Sequence, residues 1–329
     1  MKQFISGKTT LFILVCSLAF WTVCSVSCSS EATLMGISAS PPVFLGCRTE
    51  AEGEVHFIFS RDVKVASMYF EPSMETEVLG QGQTVTVRFD DAQLPGGSKV
   101  TADILVEDSR RNTLNVLVSF YTRNNHMPSL VINEIRTAYN RPRVEFIEIK
   151  TLSAGNLGAM RLFAAYTGNE PIYIFPPIEV KRGEYIVVHT RSIEPGLVDE
   201  TGTNLNLSRG TDASPNGRDL WMPGSTKLHE TNAIYLMDQD DTILDGVLIA
   251  SSNTRWRDSI TAAAEEMVRQ GIWPGSEPGD AFNSEGNTAT RTINRIENRT
   301  NSHSPADWYI TVTSGATPGR FNNPNRYVR

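Results

Sequence analysis

Through most of this chain, apolar residues alternate with polar ones instead of recurring every three or four positions. In residues 84–89, Val85, Val87 and Phe89 share one face, and Thr84, Thr86 and Arg88 the other. That is the period-two pattern of a half-buried strand. Similar short runs cover residues 55–59, 100–106 and 114–122. Turn signals separate them at Ser60-Arg61-Asp62, Leu94-Pro95-Gly96-Gly97 and 108–112. A second series covers 131–135, 143–150, 162–166, 172–175, 184–189, 233–238, 242–247, 290–296 and 308–312. Short strands with regular turns predict an all-β chain of two tandem sandwiches. The polar stretch Asn124-Asn125-His126-Met127-Pro128 divides them.

Two segments break the strand rhythm. Residues 191–231 are rich in Gly, Asn, Ser and Asp and poor in core formers. A loop of that length is either functional or mobile. Within 251–288, residues 258–270 predict one short helix. Asp258 can cap it, Gly271 can end it, and Ile260, Ala264, Met267 and Val268 form an apolar face. These insertions either carry specific function, as loops on rigid scaffolds do, or cover a sheet edge.

The N-terminus predicts export. Lys2 and Lys8 precede an apolar run over 11–26, and small residues then lead to Cys28. This order resembles a bacterial lipoprotein signal, with Ser25 where Leu is usual. The resemblance implies that residues 1–27 are removed, that Cys28 is acylated, and that 28–33 form a tether. The alternative is an ordinary cleaved signal peptide. The run is short for a membrane span. Cys16 and Cys24 would leave with the leader, so Cys47 stands without a disulfide partner and reads as a small buried residue. A catalytic thiol would need a base, and only His56 lies near it in sequence.

The formal charge of −7 becomes −9 once Lys2 and Lys8 leave. An acidic chain without a basic run disfavours nucleic acid, which is bound through Lys and Arg. The five His residues fall in no metal-ligand spacing. No phosphate loop or nucleophile elbow occurs. No cofactor is expected. Glu145 and Glu148, three apart on a strand, point to opposite faces, whereas Glu134 can face one of them across a hairpin. Asp238, Asp240, Asp241 and Asp245 are a weak candidate for Ca²⁺; turn chemistry explains them better. Trp221, Trp256 and Trp273 lie in or beside the inserted segments. They are candidate binding residues for a protein or glycan, or plugs beneath their loops. Trp308 is expected in the core.

Val131-Ile132-Asn133-Glu134-Ile135, Val144-Glu145-Phe146-Ile147-Glu148-Ile149 and the closing Asp307-Trp308-Tyr309 with Ala316-Thr317-Pro318-Gly319-Arg320-Phe321-Asn322 occur in an order that resembles the lamin-tail domain. That family is an immunoglobulin-like sandwich found in nuclear lamins and bacterial secreted proteins. Residues 34–123 resemble bacterial Ig-like repeats. The resemblances imply two tandem immunoglobulin-like β-sandwiches. The divisions are 34–123, a linker at 124–129, a lamin-tail-like domain at 130–323 with insertions 191–231 and 251–288, and a tail at 324–329. They imply a non-enzymatic, lipid-anchored protein of the cell envelope or outer membrane, acting in binding, adhesion or envelope assembly. The rival is a nuclease- or phosphatase-like hydrolase with a site built from the second-domain insertions.

Mass spectrometry of the mature protein should find an acylated Cys28 at the N-terminus. A free N-terminus elsewhere on a soluble protein would rule the anchor out.

Overall fold

The computed structural model describes residues 40–90, 94–251 and 255–328. Cys28 and the expected leader lie outside the described residues. Among the described residues the fold is all-β with one inserted α-helix. Among the described residues no helix is long and apolar enough to cross a membrane.

Six strands build the first core: β1 (Phe44–Arg48), β2 (Glu54–Glu71), β3 (Thr76–Gly80), β4 (Gly82–Phe89), β5 (Lys99–Asp108) and β6 (Thr113–Tyr121). They join in one antiparallel sheet, β3-β4-β2-β5-β6, with β1 also on β2. Val55, Phe57, Phe59, Val85, Val87, Phe89, Val100, Ile104 and Val106 are buried, as alternation requires. The turn expected at Ser60-Arg61-Asp62 is absent, because β2 runs straight through it. Residues up to Ile58 pair with β4, Val63 pairs with both β4 and β5, and beyond it the strand pairs with β5. The polar triplet marks a change of partner. Ser60 Oγ accepts the Val43 N–H at 2.9 Å, and Arg61 lies 3.5 Å from the buried Asp108 carboxylate. The long strand thus serves both halves of the fold.

The second core lies between two sheets. One has the order β14-β13-β8-β7-β18-β19: Arg218–Trp221, Tyr185–His189, Phe146–Thr151, Leu130–Arg136, Ile293–Arg295 and Trp308–Ile310. The other runs β11-β10-β15-β16-β17: Tyr173–Ile174, Arg161–Ala164, Asn232–Met237, Ile243–Ala250 and Phe282–Asn283. A short pair, β9 (Gly155–Asn156) and β12 (Glu179–Val180), sits beside them. Ile132, Ile135, Ile147, Ile149, Ile186 and Val188 from the first sheet share one core with Leu162, Ile234, Leu236, Val247 and Ile249 from the second.

Helix α1 (Asp258–Arg269) packs on the second sheet through Ile260, Ala263, Ala264 and Met267. Two details differ from expectation. Asp258 is the first helical residue, and the cap position is Arg257, without a side-chain cap bond. Val268 is exposed, and Ala263 takes its place on the buried face. The expected tail is also pinned: Tyr327 N–H donates to the Ile310 carbonyl at 2.8 Å.

The domains dock backbone against backbone. A Cβ added to Gly97 would lie 2.1 Å from the Gly158 carbonyl carbon, so both positions need glycine's missing side chain. Asn124, 5 % exposed, donates through Nδ2 to the carbonyls of Asn156 and Gly158 at 2.8 and 2.9 Å. Gln239 reaches Asn124 N–H and the Thr122 carbonyl. Arg123 forms a forked pair with Asp240 at 2.6 and 2.5 Å.

The 191–231 segment is not a detachable loop. It supplies β14, paired in parallel with β13, and buries Leu220, Trp221, Met222 and Leu228. Leu220→Ala should therefore cost about 2–5 kcal/mol in chemical denaturation, as for other fully buried leucines. Leu207→Ala, at an exposed site in the same segment, should cost about 0.5 kcal/mol or less. Equal small effects would make the segment decoration.

Candidate functional site

Of the tryptophans singled out by sequence, Trp221 and Trp273 are interior, the placement of plugs beneath their segments. Trp221 is 7 % exposed and stacks on His189 with centroids 3.8 Å apart. His189 Nε2 in turn meets Asp219 Oδ1 at 2.8 Å. Trp273 is 3 % exposed and donates to the Asp280 carbonyl at 2.9 Å. Trp256 is half-buried against the second core. In polar segments these rings are the largest apolar groups available, so burial draws them inward. Trp308 is in the core, beneath the Arg295 guanidinium at 4.4 Å.

The four aspartates diverge instead of converging on a cation. Asp238 accepts the N–H groups of Asp240 and Thr242. Asp240 pairs with Arg123, and Asp241 with Arg161 at 2.7 Å. Asp245 faces the interior and meets Arg295 at 2.6 Å. Among the described residues no group of three metal-ligating side chains forms. Cys47 pairs across β1–β2 with Phe57, and His56 with Arg48. Neighbours along a strand face opposite ways, so thiol and imidazole do not meet. Burial pushes the Cys47 thiol pKa up, the opposite of the shift that activates a thiolate nucleophile.

The densest polar constellation lies on the outer side of the β7–β8 hairpin. A register shift between Ile132 and Glu134 is a β-bulge. It lets Ile132 and Ile135, three apart, both enter the core while Glu134 stands opposite Glu148. Both glutamates are 0 % exposed. They hold the closing segment by its main chain. Thr317 N–H donates to both Glu134 oxygens at 3.1 Å. Gly319 N–H donates to Glu148 Oε2 at 2.6 Å. Asn322 N–H donates to Glu297 Oε1 at 2.6 Å. Glu297 is closed off by the Lys150 ammonium and by Tyr185 Oη at 3.0 Å.

Asn133 Nδ2 binds Glu148 at 2.8 Å. Asn322 Nδ2 donates to the carbonyls of Asn133 and Arg295, and its Oδ1 accepts from Asn294. Gly319 is required where it stands: a Cβ there would sit 2.2 Å from Ser214 Oγ. Behind the bulge, Asp245 accepts the Ile132 N–H at 2.7 Å, and Arg295 Nε donates to the Ile132 carbonyl at 2.6 Å. This buried pair links the two sheets. Glu145 is apart from the cluster, in a forked pair with Arg191 at 2.5 and 2.7 Å.

This arrangement fixes backbone. The carboxylate oxygens already accept amide and hydroxyl donors, as buried polar groups must. Burial first, and then the neighbouring Glu134 charge, raise the Glu148 pKa well above the ordinary carboxylate range. Burial also raises Glu134.

A cleft of about 670 Å³ opens elsewhere, at the domain junction. Cys47, Arg48, Glu50 and Tyr121 line it from the first domain. Ala159, Arg161, Ile174 and Asp240 line it from the second. No local motif signals this cleft, because its walls come from separate folds.

The sequence profile of the family TP_1001_2nd, described as "protein second domain", matches residues 128–310, more than half of the chain. The chain belongs to this family. It is also 28 % identical over 193 residues to an uncharacterized protein of Treponema pallidum (strain Nichols), covering 54 % of this chain and 48 % of that protein. The chain thus spans about half the length of this relative. No solved structure matches. The matched region begins at the docked linker and ends with β19, so it contains both sheets of the second core.

The raised pKa of Glu148 has a defined sign. The folded state binds this proton more tightly than the unfolded chain. Its contribution is full below the ordinary value of 4.5 and is lost as pH rises through the folded value. Denaturant titrations should show wild-type stability falling with pH above 4.5 relative to Glu148→Gln. Parallel curves for the two proteins would refute the assignment.

Proposed function

We propose that the mature chain is a non-enzymatic, lipid-anchored envelope protein acting in binding, adhesion or envelope assembly. Its second domain is a lamin-tail-type sandwich in this reading. The single observation that carries the binding role is the locked junction. Arg123–Asp240, Asn124 and the Gly97–Gly158 contact hold two cores in fixed relation around the 670 Å³ cleft. A pre-formed cleft binds without an ordering cost. Its lining mixes aromatic, charged and amide groups, which suits a protein segment or a glycan better than an apolar molecule.

The lamin-tail reading is supported by the bonding among the segments that carry the resemblance. Asn133-Glu134, Glu148 and the Thr317–Asn322 stretch contact one another directly. The non-enzymatic reading is supported by the use of these carboxylates on main-chain amides. Cys28 would supply the membrane anchor and place the protein at the outer membrane, on its periplasmic or surface face.

Photo-crosslinking in intact cells tests the binding role. A photoreactive residue at Thr49, in the cleft, should yield discrete adducts. One at Leu117, 74 % exposed on the first sheet, should not. Adducts from Leu117 alone would move the binding surface to the first domain, and adducts from neither would reject the binding role.

A further inference from the structure

A second cleft, about 380 Å³, lies at one end of the second sandwich, away from the junction. Its walls come from the end of β7, the turn before β8, residues 211–216, residues 289–290 and the closing segment. Sandwiches gather their variable loops at such ends. Three arginines, Arg136, Arg143 and Arg320, line it against one carboxylate, Asp212. The whole chain carries a charge of −7, so this concentration of cations runs against its composition.

Asp212 is already committed. It accepts from Arg136 Nη1 at 2.6 Å and from Val144 N–H at 3.0 Å. The Arg136 side chain is only 4 % exposed, yet its buried Nε has no hydrogen-bond partner. Arg143 and Arg320 are exposed, and neither forms an ion pair among the described residues. Arg143 is close enough that its charge acts against that of Arg136. Arg136 is matched by Asp212, but Arg143 and Arg320 add positive charge without a carboxylate partner of their own, and a bound oxyanion relieves the resulting repulsion through charge-assisted, forked hydrogen bonds.

We propose that this cleft binds a small, multiply charged oxyanion, with a phosphoryl group the best match to the forked guanidinium donors. The volume is near the lower end of ligand sites, so the ligand is a small phosphorylated molecule or the phosphorylated end of a larger one. Arg143 and Arg320 supply the accessible donors. Arg136 supplies a fixed positive floor, positioned by Asp212 and by the Phe146 ring 4.7 Å away. The proposal is independent of the junction cleft.

Isothermal titration of the mature protein with pyrophosphate and with citrate is the test. Pyrophosphate should bind, and more tightly than citrate. The variant Arg143→Ala/Arg320→Ala removes only exposed side chains, so it should melt as wild type does. Its affinity for pyrophosphate should drop by about tenfold or more, the worth of one charge-assisted hydrogen bond. The control Arg88→Ala/Lys99→Ala removes two positive charges from the first domain and should bind as wild type does. Unchanged affinity in the Arg143/Arg320 variant, equal weakening in the control, or no heat with either anion at millimolar concentration would each overturn the site. Tighter binding of citrate would overturn the phosphoryl preference.

Discussion

Three buried carboxylates, Glu134, Glu148 and Glu297, hold the closing segment by the N–H groups of Thr317, Gly319 and Asn322. The second domain depends on this contact. An irregular segment laid across a sheet cannot satisfy its own amides, and each unsatisfied buried donor costs about 1–3 kcal/mol. The glutamates solve that problem. The bulge at Asn133 aims Glu134, and Asp245 of the opposite sheet, with Arg295 of the neighbouring strand, props the bulge. Closing segment, bulge and inter-sheet ion pair therefore form one connected unit. Burial lowers the Arg136 pKa, and the charges of Asp212 and Glu134 act against that shift, so the clamp also bears on the floor of the arginine cleft.

The same device recurs in the long insertion. Glu200 accepts the N–H groups of Leu207, Ser208 and Asp219. Asp219 accepts Ser214, Asp199 accepts Trp221, and Glu194 accepts Thr211. Carboxylates pinned to main-chain amides replace the regular ladders that irregular stretches lack. An acidic composition is thus partly architectural here. It is not simply a solvated surface, and it explains how a segment with few apolar residues remains part of the core.

Strands with clean alternation, such as Val85-Thr86-Val87-Arg88-Phe89, were legible in sequence because one face is apolar and the other polar. That Glu134 could face a glutamate of the next strand followed from the hairpin order and the lamin-tail resemblance; strict alternation alone would have put it on the face of Ile132. The strand Arg218–Trp221 was not. Arg218 and Asp219 look like loop residues until their partners are known. Arg218 pairs with Glu184, and Asp219 pairs with His189, both distant in sequence. The bulge was invisible because no local residue type demands it. Asp245 read as one of four turn acids, although alternation from Ile243 already pointed it away from the turn. The arginine cleft gathers residues from five separate stretches, and no motif search could assemble it. Cys28 rests on sequence alone.

Hydrogen exchange at the closing segment tests the clamp most directly. In Glu148→Ala, the amides of Thr317, Gly319 and Asn322 should exchange much faster than in the wild type, while those of β15 and β16 stay protected. Unchanged protection at these three amides would contradict the clamp. Uniformly faster exchange through both sheets would mean that Glu148 supports the whole domain, not the closing segment in particular.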